Sequence, residues 1–318
     1  MDKETQTLLA EADDSYRKKN YEKALTNYLL AIQKQPNTAE ASLGAGKTLI
    51  ALNRPAEAED HLEKSASKSD APAKAHYMLG LIQLEKKEYP AAIENFKKAL
   101  AKNPNLTTLH WLIGDALRLS ENYEEAIPAY QEYLKHKPED FEALLLLGYC
   151  LSLEEEYDSA IEYYSRAIDI SPDSTEAYTQ RGLAYAMHGK TDEAEADLER
   201  ALHSDPRNPE IYKIMGSVHE QAGDLVSAAL MYERSNNLKF QPDILKKAKD
   251  IREQLKDTYL IDVPPDEEDE LPPADIMSLP EPAENEIEDI EKDTQDIAAK
   301  KPEKQHPPQN TAQQDKKQ

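Results

Sequence analysis

Small residues return at a fixed interval along this chain, and apolar residues surround them at helical spacing. Alanine stands at Ala24, Ala58, Ala92, Ala126, Ala160, Ala194 and Ala228, each 34 residues after the last. A second small-residue column keeps the same step through Ala12, Gly46, Gly80, Gly114, Gly148, Gly182 and Gly216. Pro36, Pro104, Pro138, Pro172 and Pro206 form a third column, with Asp70 and Phe240 in the two remaining places. Aromatic residues or leucine make the fourth: Tyr28, Leu62, Phe96, Tyr130, Tyr164, Leu198 and Tyr232. Four columns in one phase define an internal repeat, and that decides the architecture before chain length does.

Each column predicts an element. The apolar spacing divides the repeat into two helices joined by a short polar turn; Asn20, Asn122, Gly189 and Gly223 sit in those turns. Two helices lie close only where side chains are small, so the glycine column is expected to meet the alanine column. Tyr21, Tyr89, Tyr123 and Tyr157 open the second helix with apolar area and a hydroxyl that stays wet. Proline then stops that helix, because it lacks the amide donor and disfavours helix in the residue before it.

These columns resemble the tetratricopeptide repeat. Units are expected at 5–38, 39–72, 73–106, 107–140, 141–174, 175–208 and 209–242, after an extension over 1–4. The resemblance implies an all-α fold, a right-handed superhelical solenoid of antiparallel helix pairs. The second unit is the weakest match, with Pro55 where tyrosine is usual and Ser65 where alanine is, and the first lacks the glycine. A stack of repeats needs a polar lid. Residues 242–260 are expected to supply it as a capping helix, with Ile244, Ala248, Ile251 and Leu255 on one apolar stripe.

Beyond that helix the composition changes. Residues 262–293 hold fourteen Asp or Glu, one base and six prolines, too little apolar area to offset chain entropy. A disordered, acidic, proline-rich tail is expected over 261–318. Two short apolar groups interrupt it, Ile276–Met277–Leu279 and Ile287–Ile290–Ile297; ordinary linker is one reading, and a motif that binds the groove or a partner is the other. The whole chain of 318 residues carries a formal charge of −24, which disfavours nucleic acid and anionic lipid as partners and favours apolar or basic ones. The single Cys150 and the absence of a long apolar run predict a cytoplasmic protein without membrane insertion.

Candidate chemistry reduces to decoys. Ala41–Thr48 satisfies a relaxed phosphate-loop pattern, but it falls inside a predicted helix and Gly46 belongs to the small-residue column. The eight histidines show no paired metal spacing, and His76 and His110 hold equivalent places in adjacent units, so they read as structural. No catalytic, cofactor-binding or metal-binding residues are assigned, and the chain is not expected to be an enzyme.

What the resemblance implies about function is more specific. First helices line the concave face of the family's solenoids, and partners touch their second, fifth, sixth, ninth, twelfth and thirteenth places. Those places here carry Tyr77, Met78, Leu81, Leu84, Trp111, Leu112, Leu145, Leu146, Tyr149, Leu153, Leu183 and Met187. An apolar stripe on a face normally open to water marks a docking surface, although tighter packing would bury some of its leucines. The lysine–asparagine clamp that grips chaperone tails in some members is missing: Lys74 holds one clamp place, but Met78, Leu9, Asp13 and Gly44 hold the others. A chaperone C-terminal tail is therefore not the expected ligand. The expected function is an adaptor or scaffold that binds a helical or extended peptide segment. The alternatives are a chaperone for secreted or assembling subunits, or a non-catalytic regulatory subunit of an enzyme complex.

Overall fold

The structure is a computed structural model that describes residues 2–259. The chain divides into two units, Met1–Pro265 and Asp266–Gln318, and the second lies outside the described residues. The expectations for the acidic tail over 261–318 and its two apolar groups fall outside the described residues. Among the described residues all regular structure is helical. The first seven elements are α1 (Lys3–Arg17), α2 (Tyr21–Lys34), α3 (Ala39–Ala51), α4 (Pro55–Ala66), α5 (Ala73–Glu85), α6 (Tyr89–Lys102) and α7 (Thr108–Leu119). They continue with α8 (Tyr123–His136), α9 (Phe141–Leu153), α10 (Tyr157–Ile170), α11 (Thr175–Met187) and α12 (Thr191–Ser204). The last are α13 (Pro209–Ala222), α14 (Leu225–Leu238) and α15 (Pro242–Tyr259).

Helices α1–α14 form seven consecutive pairs, and each pair packs on the next. Contacts also join α1 to α3, α3 to α5, α9 to α11 and α11 to α13, whereas contacts of that extent join no two second helices among the described residues. First helices therefore lie on the inside of the curve. This is the geometry that presents their outward places on a concave face.

The turn inside each pair has one backbone solution. Residues Lys19, Asn53, Lys87, Glu121, Glu155, Gly189 and Gly223 all have φ between 58° and 81°, in the left-handed region. The amide of the following residue donates back to the carbonyl five residues earlier, as in Asn20 to Ser15, Asn122 to Leu117 and Asp224 to His219, each at 2.9 Å. This closure satisfies carbonyls that the end of a helix leaves open. Glycine adopts that φ without steric cost at 189 and 223; the other five positions accept it with a side chain present.

The glycine column meets the alanine column at Gly46 and Gly182, where a Cβ would stand 3.3 and 3.2 Å from the Ala58 and Ala194 carbonyl oxygens, and it also makes a second contact. A Cβ on Gly80 would stand 2.6 Å from the Phe96 ring, and one on Gly148 or Gly216 would stand 2.7 Å from the ring of Tyr164 or Tyr232. The missing side chain makes room for the aromatic column of the second helix, with the alanine column closing the pair alongside at zero exposure. Tyr28, Phe96, Tyr130, Tyr164 and Tyr232 are consequently among the largest fully buried side chains.

The core is divided. The largest cluster runs from Ala92 to Ala184, and a second holds the N-terminal repeats from Leu9 to Ile82. Where they meet, the buried His76 bonds Asn95 at 3.0 Å, and Asn95 donates to Gln83 at 2.9 Å. Helix α15 lies on α14 with Ala248, Ile251 and Leu255 buried, and Lys247 reaches Glu220 at 2.7 Å.

Candidate peptide-docking surface

Four successive first helices, α5, α7, α9 and α11, carry the predicted stripe. On α5, Tyr77, Met78 and Leu81 are half-buried; on α7, Trp111 and Leu112 are too. On α9, Leu146, Tyr149 and Leu153 keep partial exposure, and on α11 Leu183 is half-buried while Met187 is 45% exposed. Leu145 differs: at 7% exposure it belongs to the core cluster and offers a ligand almost nothing. Tyr77, Trp111 and Leu145 occupy the same fifth place of adjacent repeats. At that place the larger Tyr77 and Trp111 keep partial exposure, whereas the shorter leucine is buried.

The stripe is supported from below. Tyr77, Leu81, Trp111, Leu112 and Leu146 rest on the large core cluster, and Met78 rests on the N-terminal one. Such residues are held in place before a partner arrives, which reduces the entropy lost on binding. Tyr149 stands edge-on to Tyr123, with ring centres 6.1 Å apart and planes at 88°. Burial, followed by the neighbouring Tyr123, pushes the Tyr149 phenol up to about 12, and burial also raises Tyr77. Both hydroxyls stay protonated at neutral pH and can donate to a ligand carbonyl.

An ion pair interrupts the apolar floor on α7, and Thr179 and Gln180 interrupt it on α11. Asp115 and Arg118, at the ninth and twelfth places of the repeat 107–140, pair at 2.6 Å with both side chains only 15% exposed. Burial opposes the Arg118 charge, but Asp115 beside it holds the guanidinium protonated. The sequence signal was present as opposite charges three apart on an otherwise apolar helix. Most other exposed apolar residues, such as Ile170, Val226 and Phe240, are scattered singly among the described residues.

The decoys resolve physically. Ala41–Thr48 lies within α3, where its amides serve the helix, and Thr48 Oγ1 donates to the Gly44 carbonyl at 2.7 Å. His76 is locked in its amide network, and burial lowers the pKa of the half-buried His110. Cys150 is buried and unpaired, with its thiol pushed up to about 12 by burial. Among the described residues, no cluster of His, Cys, Asp and Glu is arranged to hold a metal ion, and no helix is long and apolar enough to cross a membrane.

Models of the tetratricopeptide repeat match residues 9–72 and 112–175, 147–219, and 73–106. With that coverage and the paired helices, the chain belongs to the tetratricopeptide repeat family, and its fold is the right-handed superhelical solenoid of that family. Solved structures agree on the fold. The C-terminal part of a repeat-containing protein from Cytophaga hutchinsonii is 19% identical, with a TM-score of 0.58, covering 76% of this chain and 98% of that one. YrrB, described as a protein of this family with an unusual peptide-binding site, is 24% identical with a TM-score of 0.52, covering 56% of this chain and 92% of that one. No curated protein matches the chain.

Proposed function

We propose that this protein is a non-catalytic adaptor or scaffold that holds a helical or extended apolar segment of a partner along the concave face. Members of the family bind proteins or peptides, and the finer assignment rests on one observation. Partly exposed apolar side chains continue across four adjacent first helices, from Tyr77 and Met78 through Trp111 and Leu112 to Tyr149, Leu153 and Met187. Water gains by leaving such a surface, and aromatic rings on a rigid base are the usual energetic centres of an interface. Met78 and Met187 adapt to irregular partner side chains. A groove of this kind suits an amphipathic helix or an extended segment whose apolar residues point inward.

The formal charge of −24 supports partners that are neutral or basic overall, and speaks against nucleic acid. A cytoplasmic setting fits the one unpaired, buried Cys150. YrrB supports the reading as a protein of the same fold for which a peptide-binding site is named.

Crosslinking and mass spectrometry in native lysate tests the assignment. Partner crosslinks should cluster along the edges of α5, α7, α9 and α11 and disappear with Trp111→Ala. Crosslinks confined to the second helices, and unchanged in the variant, would remove the concave face as the docking surface. Many unfolded clients in the wild-type sample would identify a chaperone, and one stoichiometric folded partner a regulatory subunit.

A further inference from the structure

The aromatic column shows what the floor of the fourth repeat lacks. Where that column holds tyrosine, the hydroxyl reaches the ninth or twelfth place of the first helix in its own repeat. Tyr28 donates to Asp13 at the ninth place, Tyr232 donates to Glu220 at the twelfth at 2.7 Å, and Tyr164 meets Ser152 at the twelfth at 3.5 Å. Tyr130 is the exception. It is fully buried, and Asp115 and Arg118 at the same two places both bear on it, yet its hydroxyl has no hydrogen-bond partner.

Arg118 has taken the acceptor that the phenol would use. Its Nε at 3.1 Å and its Nη2 at 2.6 Å both donate to Oδ1 of Asp115. Asp115 Oδ2 and Arg118 Nη1 make no hydrogen bond among the described residues. Both side chains keep 15% exposure at places that open on the concave face. Trp111 and Leu112 precede them on α7, and the Arg118 charge also bears on Tyr149 of α9. The middle of the apolar floor therefore holds a free acceptor and a free donor side by side, with an orphan phenol beneath them.

An apolar segment laid over this spot would strip water from both groups and leave them unpaired, which costs affinity. A charged ligand group fits no better, because a carboxylate meets Asp115 and an ammonium meets Arg118. A carboxamide satisfies both: its N–H donates to Asp115 Oδ2 while its carbonyl accepts from Arg118 Nη1. We propose that the segment docked in the groove carries an asparagine or glutamine, received by Asp115 and Arg118 between its apolar residues. This rests on the groove reading above and adds register to it. Apolar contact alone lets a segment slide by one helical turn; one amide at a fixed offset decides where each apolar residue lands.

Random peptides displayed on phage test this against three forms of the full chain: wild type, Asp115→Leu/Arg118→Leu, and Trp111→Ala. Wild type should select apolar peptides with Asn or Gln enriched at one offset from the apolar residues. The double variant removes both charges together and leaves neither unpaired, so it should keep the apolar selection and lose the amide. Fluorescein-labelled copies of a selected peptide give the pairwise result. Replacing the amide residue by Leu should weaken binding to wild type about tenfold and leave binding to the double variant no weaker. Replacing it by Glu should also weaken binding to wild type. Circular dichroism and thermal melting check the variant; if it does not fold, the Leu and Glu peptides on wild type carry the measurement, and equal affinity for all three would overturn the inference. Selection without amide enrichment, enrichment of a charged residue or of Ser or Thr instead, or amide enrichment that survives in the double variant would also overturn it and leave the groove reading standing. Peptides indifferent to Trp111→Ala would overturn both.

Discussion

The second and fifth repeats share one backbone plan and differ in almost everything that fills it. In the second, α3 buries Ser42, Gly44, Ala45, Gly46 and Thr48, and α4 begins at Pro55. The buried Ser65 donates to the Ala39 carbonyl at 2.7 Å, where most repeats place a plain alanine contact. In the fifth, α9 buries Leu144, Leu145, Leu147, Cys150 and Leu151, and α10 adds Tyr164 and Ala167. Backbone geometry is therefore set by the small-residue and aromatic columns, whereas stability is set by how much apolar volume sits between them. The thin repeat carries the half-buried Lys47 on its first helix, and the thick one carries Tyr149.

Substituting the alanine column probes that contrast most severely. Ala160→Arg should cost about 4 kcal/mol or more, since it forces bulk and charge into a fully closed contact. Hydrogen exchange should show protection lost from α6 to α11 together. Ala58→Arg, equally closed, should melt α1–α5 and spare the rest, because the two clusters are separate and repeats couple mainly to neighbours. Equal spread from both sites would mean the division of the core has no energetic meaning.

Truncation should follow the same order at smaller size. Leu147→Ala should destabilise by about 4 kcal/mol and Leu49→Ala by about 2 kcal/mol in urea unfolding, because the smaller neighbours of Leu49 leave less packing to lose. The turns offer an effect of opposite sign. Glu155→Gly should stabilise by about 0.5–1 kcal/mol by relieving a left-handed φ of 62°, whereas Asn53→Gly at 59° should change little, since asparagine tolerates that region. The smallest effect is pH-dependent. Burial lowers the His61 pKa below its ordinary value, so the unfolded second repeat takes a proton before the folded one does. As pH falls below about 6.5, that repeat should lose protection relative to the fifth, which has no histidine, and His61→Gln should remove the difference.

Much of this was legible in the residues. The four columns identify the repeat because each is filled by side chains of one kind, and the apolar stripe of α15 is visible in Ile244, Ala248, Ile251 and Leu255. The left-handed column was not, because lysine, asparagine and glutamate fill five of its seven places and the conformation comes from the closing backbone bond. Nor did spacing show that glycine faces the aromatic column as well as the alanine one, since both lie on the inward side of the second helix. Helical period placed Leu145 and Leu146 together on the concave side; only the distance between neighbouring first helices separates the buried one from the half-exposed one.

The account turns on whether the half-buried aromatic floor of α5, α7 and α9 is where a partner binds. The affinity of a partner recovered by crosslinking, measured by calorimetry for wild type and Trp111→Ala, tests this most directly. The account predicts a loss of about 2 kcal/mol or more, near thirtyfold in Kd, with helicity and melting unchanged. Equal affinity for the two proteins would contradict it.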